Sequence, residues 1–218
     1  MMEMFLRQFK QILLIAMLML FIAPLIAQVK QSSGTPVKHS QSDQQKEFFH
    51  LVAQANVKFI YPKGFKEIKP PDDEDFSFDY ALELPGKDFE IWFQVKSEKE
   101  NWASFIKNPD NKVTQSDNPD SNYTAWGKAN ATAFTGDQKY FVTIIPREVL
   151  ARYNADAGKT YLLTLLDLPD TKHYKYALLI TLQKNHTGTI MAVCFTNDKG
   201  PEFFKNIKKV ESCLKFKP

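Results

Sequence analysis

Two runs in which every second residue is apolar meet at Pro85-Gly86, and they constrain this chain more than any other feature. In DFSFDYALEL, residues 75–84, Phe76, Phe78, Tyr80, Leu82 and Leu84 alternate with Ser77, Asp79, Ala81 and Glu83. In KDFEIWFQV, residues 87–95, Phe89, Ile91, Phe93 and Val95 alternate with Glu90, Trp92 and Gln94. A period of two is the repeat of a strand, whose successive side chains point to opposite faces. Pro and Gly supply the turn between them, so the pair reads as an antiparallel hairpin with one face on a core.

A second hairpin follows near the end of the chain. HYKYALLITLQ and TGTIMAVCFT are rich in residues favoured on a pleated surface and are joined by a short turn before Gly188. Helical spacing appears at three places. Phe48, Phe49 and Val52 follow Asp43, which is placed to cap a first helix; Val149, Leu150, Tyr153 and Ala157 follow Pro146; Phe203, Phe204, Ile207 and Val210 follow Pro201. Trp102, Phe105 and Ile106 suggest a further short helix, and VKFIYP (57–62) and SCLKF are short strands. WGKANATAF (126–134) reads as a packed turn or irregular helix, and GFKEIKPPDDED runs into a turn. Strands in sequential antiparallel pairs with helices at the start, middle and end predict an α+β fold.

NADAGKT, residues 154–160, ends in the Gly-Lys-Thr of a phosphate-binding loop. Such a loop needs a glycine five residues before its Gly-Lys pair, a strand before it and a helix after it. Here Tyr153 stands where that glycine belongs and the order of elements is reversed. Gly158 is instead expected just past the end of the preceding helix.

The opening VKFIYPKGFKEI and the closing TIMAVCFTNDKGPEFFKNIKKVESCLKF resemble domains of the PsbP and Mog1 type. The resemblance covers about half of the mature chain, and residues 101–156 do not follow it. It implies an antiparallel sheet flanked by helices, with a late strand leading into a helix and a last strand, and a binding or assembly role. It carries over no functional residue.

The first 27 residues predict export. Arg7 and Lys10 precede an apolar run from Ile12 to Ala23, and Ala27 stands before Gln28, the order of a cleaved signal peptide; the run is short for a membrane span, and the other reading is an uncleaved N-terminal anchor. Residues 28–42 read as a flexible leader, and 43–218 as a single domain in the periplasm or outside the cell, with no membrane span after cleavage. The formal charge of +3 includes Glu3, Arg7 and Lys10, so the rest is nearly balanced, and only Arg147 and Arg152 remain as arginines. That distribution argues against a nucleic-acid surface. Cys194 and Cys213 enter a compartment where disulfides persist, and two readings stand: a bridge, or two small buried side chains.

Defined chemistry is scarce. His39, His50, His173 and His186 share no metal-ligand spacing, there is no Gly-x-Ser-x-Gly turn, and no cofactor is expected. The acidic run 72–75 and the Asn/Asp-rich loop 108–122 lack the ligand order of a calcium loop. The sequons at Asn122, Asn130 and Asn185 carry little weight. The lead is aromatic: Trp92 falls on the polar side of its strand, and Tyr174 and Tyr176 share a face of theirs, so these three are expected either to bind a polypeptide or glycan or to lie beneath a second helical layer. The expectation is an exported noncatalytic binding or accessory protein; the alternative is a secreted hydrolase with a site assembled from distant loops.

Overall fold

The computed structural model describes residues 41–72, 76–107, 118–136 and 140–218. The export signal, nearly all of the leader, residues 73–75 of the acidic run and residues 108–117 of the Asn/Asp-rich loop lie outside them. Residues Gln41–Pro218 form one compact α+β unit. Its elements in chain order are α1 (Asp43–Gln54), β1 (Val57–Phe59), β2 (Lys66–Ile68), β3 (Tyr80–Glu83), β4 (Glu90–Ser97), α2 (Lys99–Lys107), α3 (Asn122–Thr135), β5 (Phe141–Ile144), α4 (Arg147–Tyr153), β6 (Ala157–Thr164), β7 (Tyr176–Lys184), β8 (Gly188–Thr196), α5 (Pro201–Val210) and β9 (Leu214–Phe216). Seven strands form an antiparallel sheet in the order β2-β3-β4-β8-β7-β6-β5, and β1 pairs with β9 in a separate two-stranded ladder.

Both predicted hairpins form. Tyr80 faces Phe93 and Leu82 faces Ile91 across β3–β4, with Gly86 at φ 71 in the turn. Tyr176 faces Thr196 and Lys184 faces Gly188 across β7–β8. The sheet is covered on two sides, which alternation alone does not reveal. On one face Tyr80, Leu82, Ile91, Phe93 and Cys194 pack under α1, α5 and the β1–β9 ladder, with Phe48 stacked on Tyr80 at 4.7 Å between ring centroids. Burying one such ring fully stabilises by about 1.5–3 kcal/mol. On the other face Trp92, Val193, Phe195, Leu179 and Tyr161 pack with Ala131 and Phe134 of α3.

Of the packed turn or irregular helix expected over 126–134, the helix forms, as the regular and longer α3. Its small residues permit close approach: a Cβ on Gly127 would lie 2.8 Å from the Tyr161 hydroxyl and 2.9 Å from Thr181. The first long alternation is also divided. Phe76 and Phe78 join the α3 face whereas Tyr80 and Leu82 join the opposite core. Asp79 sits at the division, its amide donating to the Phe93 carbonyl at 2.9 Å and its carboxylate accepting from the Val95 amide at 2.7 Å. The short edge strand β2 lies where a turn was expected, and Ser42 rather than Asp43 caps α1 by accepting from the Gln45 amide.

The Gly-Lys-Thr stretch belongs to β6, not to a helix end. α4 stops at Tyr153 because Asn154 takes the left-handed conformation, φ 52, and its amide side chain donates to the Lys217 carbonyl at 2.7 Å. Asn is among the few non-glycine residues that enter this region readily. Gly158 is buried in the strand, and a Cβ there would lie 2.7 Å from the Thr181 carbonyl oxygen.

Candidate functional site

The sheet's register exposes a surface that neither helical layer reaches. Residues directly opposite in antiparallel strands share a face. Phe141, Leu162, Leu178 and Cys194 lie opposite one another across β5, β6, β7 and β8. Along this row exposure climbs from 0 % at Cys194, through half-buried Leu178 and Leu162, to 80 % at Phe141. Ile180 and Tyr176, two residues to either side of Leu178 on the same face, are half-buried too. The α1, α5 and β1–β9 layer covers the β3-β4-β8 side, and α4 covers the start of β6 and the end of β7 through Leu150 near Gly158 and Leu182, which leaves the part of the β7-β6-β5 side around Phe141, Leu162 and Tyr176 open.

α5 forms one wall of this open half-face. Glu211, just past its end, lines a small cavity with Ile180 and Leu182. Phe204 stands seven residues earlier, two helical turns, and so lies on the same flank; it is exposed. At the start of α5 the Lys199 ammonium sits 4.3 Å from the centroid of the Tyr176 ring. The opposite boundary is β5. Val142 and Ile144 point to the α3 side of that strand, yet α3 does not reach them: Ile144 is 73 % exposed. Among the described residues no strand pairs with the outer edge of β5.

The expected aromatic residues separate here. Trp92 is 1 % exposed beneath Phe78 and Phe195, and its indole N–H donates to the buried Glu90 carboxylate at 3.0 Å. It is a core residue under the α3 layer and presents no surface. Tyr174 is likewise buried, packed on Phe195 of the α3 side. It does not share the Tyr176 face, because Lys172 and His173 take positive φ values of 52 and 60 and the chain becomes a strand only at Tyr176. Tyr176 alone of the three lies on the open half-face. Phe141 and Ile144 lie in the short apolar run KYFVTIIP, the one sequence signal for them, and Phe204, expected in the apolar stripe of the last helix, is exposed.

Cys194 and Cys213 are both free and buried, so no bridge joins them. They line the cavity of about 40 Å³ between α5 and the sheet, together with Tyr153, Ile180, Ala192 and Ile207. Burial pushes the Cys213 thiol up to about 12, and burial with Cys213 nearby pushes Cys194 well above the usual thiol range. Burial and then the Glu211 carboxylate likewise raise the Tyr153 phenol to about 12. Such thiols are poor nucleophiles and poor metal ligands.

A hollow of about 500 Å³ opens where the β6–β7 loop meets the sheet, lined by Thr164, Asp167, His173, Tyr174, Lys175 and Tyr176 among others. His173 Nδ1 lies 2.6 Å from an Asp167 carboxylate oxygen, and both side chains are largely exposed. The lining holds no serine or cysteine. Lys172 donates to buried Glu90 at 2.7 Å and ties this loop to the sheet. Two successive left-handed residues cost about 1 kcal/mol or more each. Burial, followed by the carboxylates of Glu90 and Asp88, raises the Tyr174 phenol far above its usual range, so it stays protonated.

Among the described residues no group of three or more His, Cys, Asp or Glu is placed to hold a metal, and no helix is long and apolar enough to cross a membrane. No protein-family model matches the chain, and no match is found among curated proteins.

Proposed function

We propose that this is an exported, noncatalytic binding or accessory protein of the cell envelope or extracellular space that takes up an extended polypeptide segment along β5. One observation carries the reading: the outermost strand is uncharged and bears Phe141 at 80 %, Val142 at 47 % and Ile144 at 73 % exposure. An edge strand offers unpaired N–H and C=O groups, and proteins ordinarily protect such edges with charges. The opposite edge follows that custom, since β2 reads Lys-Glu-Ile and Lys66 pairs with Glu83 at 3.4 Å. β5 has no such protection, which suits strand addition with apolar side chains of the partner resting on the open half-face. The PsbP and Mog1-type likeness of the termini, with the binding role it implies, belongs to the same proposal. A secreted hydrolase draws only on the exposed Asp167–His173 pair, with no serine or cysteine in the lining beside it.

The test places a photo-crosslinking residue at Val142 of the mature chain and exposes it to the native envelope fraction. A discrete polypeptide adduct is expected, abolished by the double substitution Phe141→Lys/Ile144→Lys and not formed from a probe at Lys58. Adducts indifferent to the double substitution, or none, refute the reading. Export is tested separately by N-terminal sequencing, with Gln28 expected as the first residue; a chain still starting at Met1 rejects it.

A further inference from the structure

We infer that the hollow at the β6–β7 loop is a binding site for one or two sugar units of a glycan, separate from the β5 edge. At about 500 Å³ it falls within the range of small-ligand sites. Its chemistry selects the ligand class by elimination. A simple anion would meet the exposed Asp167 carboxylate, and a simple cation would meet Lys175 and the Lys199 ammonium held over Tyr176. A wholly apolar ligand would cover Thr164, Asp167, His173 and Lys175 without satisfying them. An uncharged polyol with one apolar face has none of these conflicts. Asp167 only accepts, Lys175 only donates, and the Thr164 hydroxyl does both, matching the alternating donors and acceptors of vicinal hydroxyl groups.

The hollow is also built from within. Lys172 reaches the buried Glu90 carboxylate, which accepts the Trp92 indole N–H as well, so the loop is anchored to the core of the sheet. That anchor holds Lys172 and His173 at positive φ, and the His173 amide donates to the Leu168 carbonyl at 3.1 Å. Backbone strain of this kind in non-glycine residues persists where the surroundings over-determine it and often accompanies function. Its product here is the placement of His173 against Asp167. When the Nδ1 proton points to that carboxylate, Nε2 remains an acceptor for a ligand hydroxyl. The Tyr176 ring, fixed at the rim by Lys199, supplies the apolar wall against which a pyranose face rests.

Ligand-observed saturation-transfer NMR tests this with cellobiose, maltose and chitobiose at millimolar concentration, and with inorganic phosphate titrated in parallel by protein-observed shifts. Saturation transfer to at least one disaccharide is expected, with shift changes at His173 and Tyr176. Tyr176→Ala and His173→Ala, both at solvent-accessible side chains, are each expected to weaken binding about tenfold or more. Phe141→Lys/Ile144→Lys is expected to leave it unchanged, which keeps failure here distinct from failure of the strand-addition reading. Transfer to none of the three sugars, shifts with phosphate alone, or equal binding by the folded Tyr176→Ala and His173→Ala chains overturns the assignment.

Discussion

Replacing Asp79 by Asn should stabilise the protein at neutral pH and do nothing in mild acid. Asp79 is half-buried where the chain passes from one face of the sheet to the other, and burial is the main cause that lifts its carboxyl from 3.8 to about 6; the Val95 amide and Lys96 oppose the rise. A folded-state pKa above the unfolded one means that the folded state holds its proton longer. The group's stabilising contribution is complete below about pH 4 and is lost as pH climbs through 6. Above that, keeping the carboxylate ionised costs about 3 kcal/mol at most. Partial exposure screens the charge and reduces this to about 1–2 kcal/mol. Asn keeps an oxygen to accept from the Val95 amide and carries no charge. Urea denaturation at pH 7.5 should show Asp79→Asn more stable by about 1–2 kcal/mol, and at pH 4 the two proteins should coincide. Equal destabilisation of the variant at both pH values would refute the argument, because the hydrogen bond and not the buried charge would then dominate.

Three further outcomes follow from the packing. Trp92→Ala, which opens a cavity beneath Phe78 and Phe195 and strips Glu90 of a donor, should cost about 3–5 kcal/mol in chemical denaturation; a loss below 1 kcal/mol would mean the indole is not core. Gly158→Ala drives a Cβ to 2.7 Å from the Thr181 carbonyl and should cost about 1–3 kcal/mol, whereas Gly200→Ala, whose nearest neighbour is the Asp198 side chain at 3.2 Å, should change the midpoint little. Thiol titration should find no reactive cysteine in the native chain and two after unfolding without reductant; two native equivalents would contradict the burial of Cys194 and Cys213, and none after unfolding would show a bridge.

The β7–β8 hairpin and α5 were legible because each carries a clean period and a punctuating residue, Gly188 in one and Pro201 in the other. α3 was not. Its apolar stripe is built from Gly127, Ala131 and Phe134, and small side chains give little periodic signal even though they are what lets the helix sit close to β6 and β7. Trp92 was ambiguous for the same reason: a residue on the polar side of an alternating strand is exposed or buried according to whether a second layer exists, and that layer was the illegible one. Phe76 and Phe78 kept the right period but the wrong face, since one bend at Asp79 inverts everything before it. Of the candidate surface, Tyr176 could be named from its strand, while Phe141 and Ile144 sit in a short apolar run that gives no sign of their exposure. Their exposure depends on where α5 stops covering one face of the sheet at Phe141 and where α3 stops covering the other at Ile144, a property of the assembled molecule and not of any local window.

The β1–β9 ladder sets an order of events for a chain made from its N-terminus. Val57 pairs with Phe216 and Phe59 with Leu214, and the Lys217 amide donates to the Asn56 carbonyl at 2.8 Å. One flap over the core is thus stitched from the first and last strands of the domain. Phe216 is buried in the same cluster as Phe48 and Phe59, so without β9 that part of the core lacks its cover. Pairing segments so far apart in sequence carries a loop-closure cost, so this flap is expected to be among the later parts of the core to form.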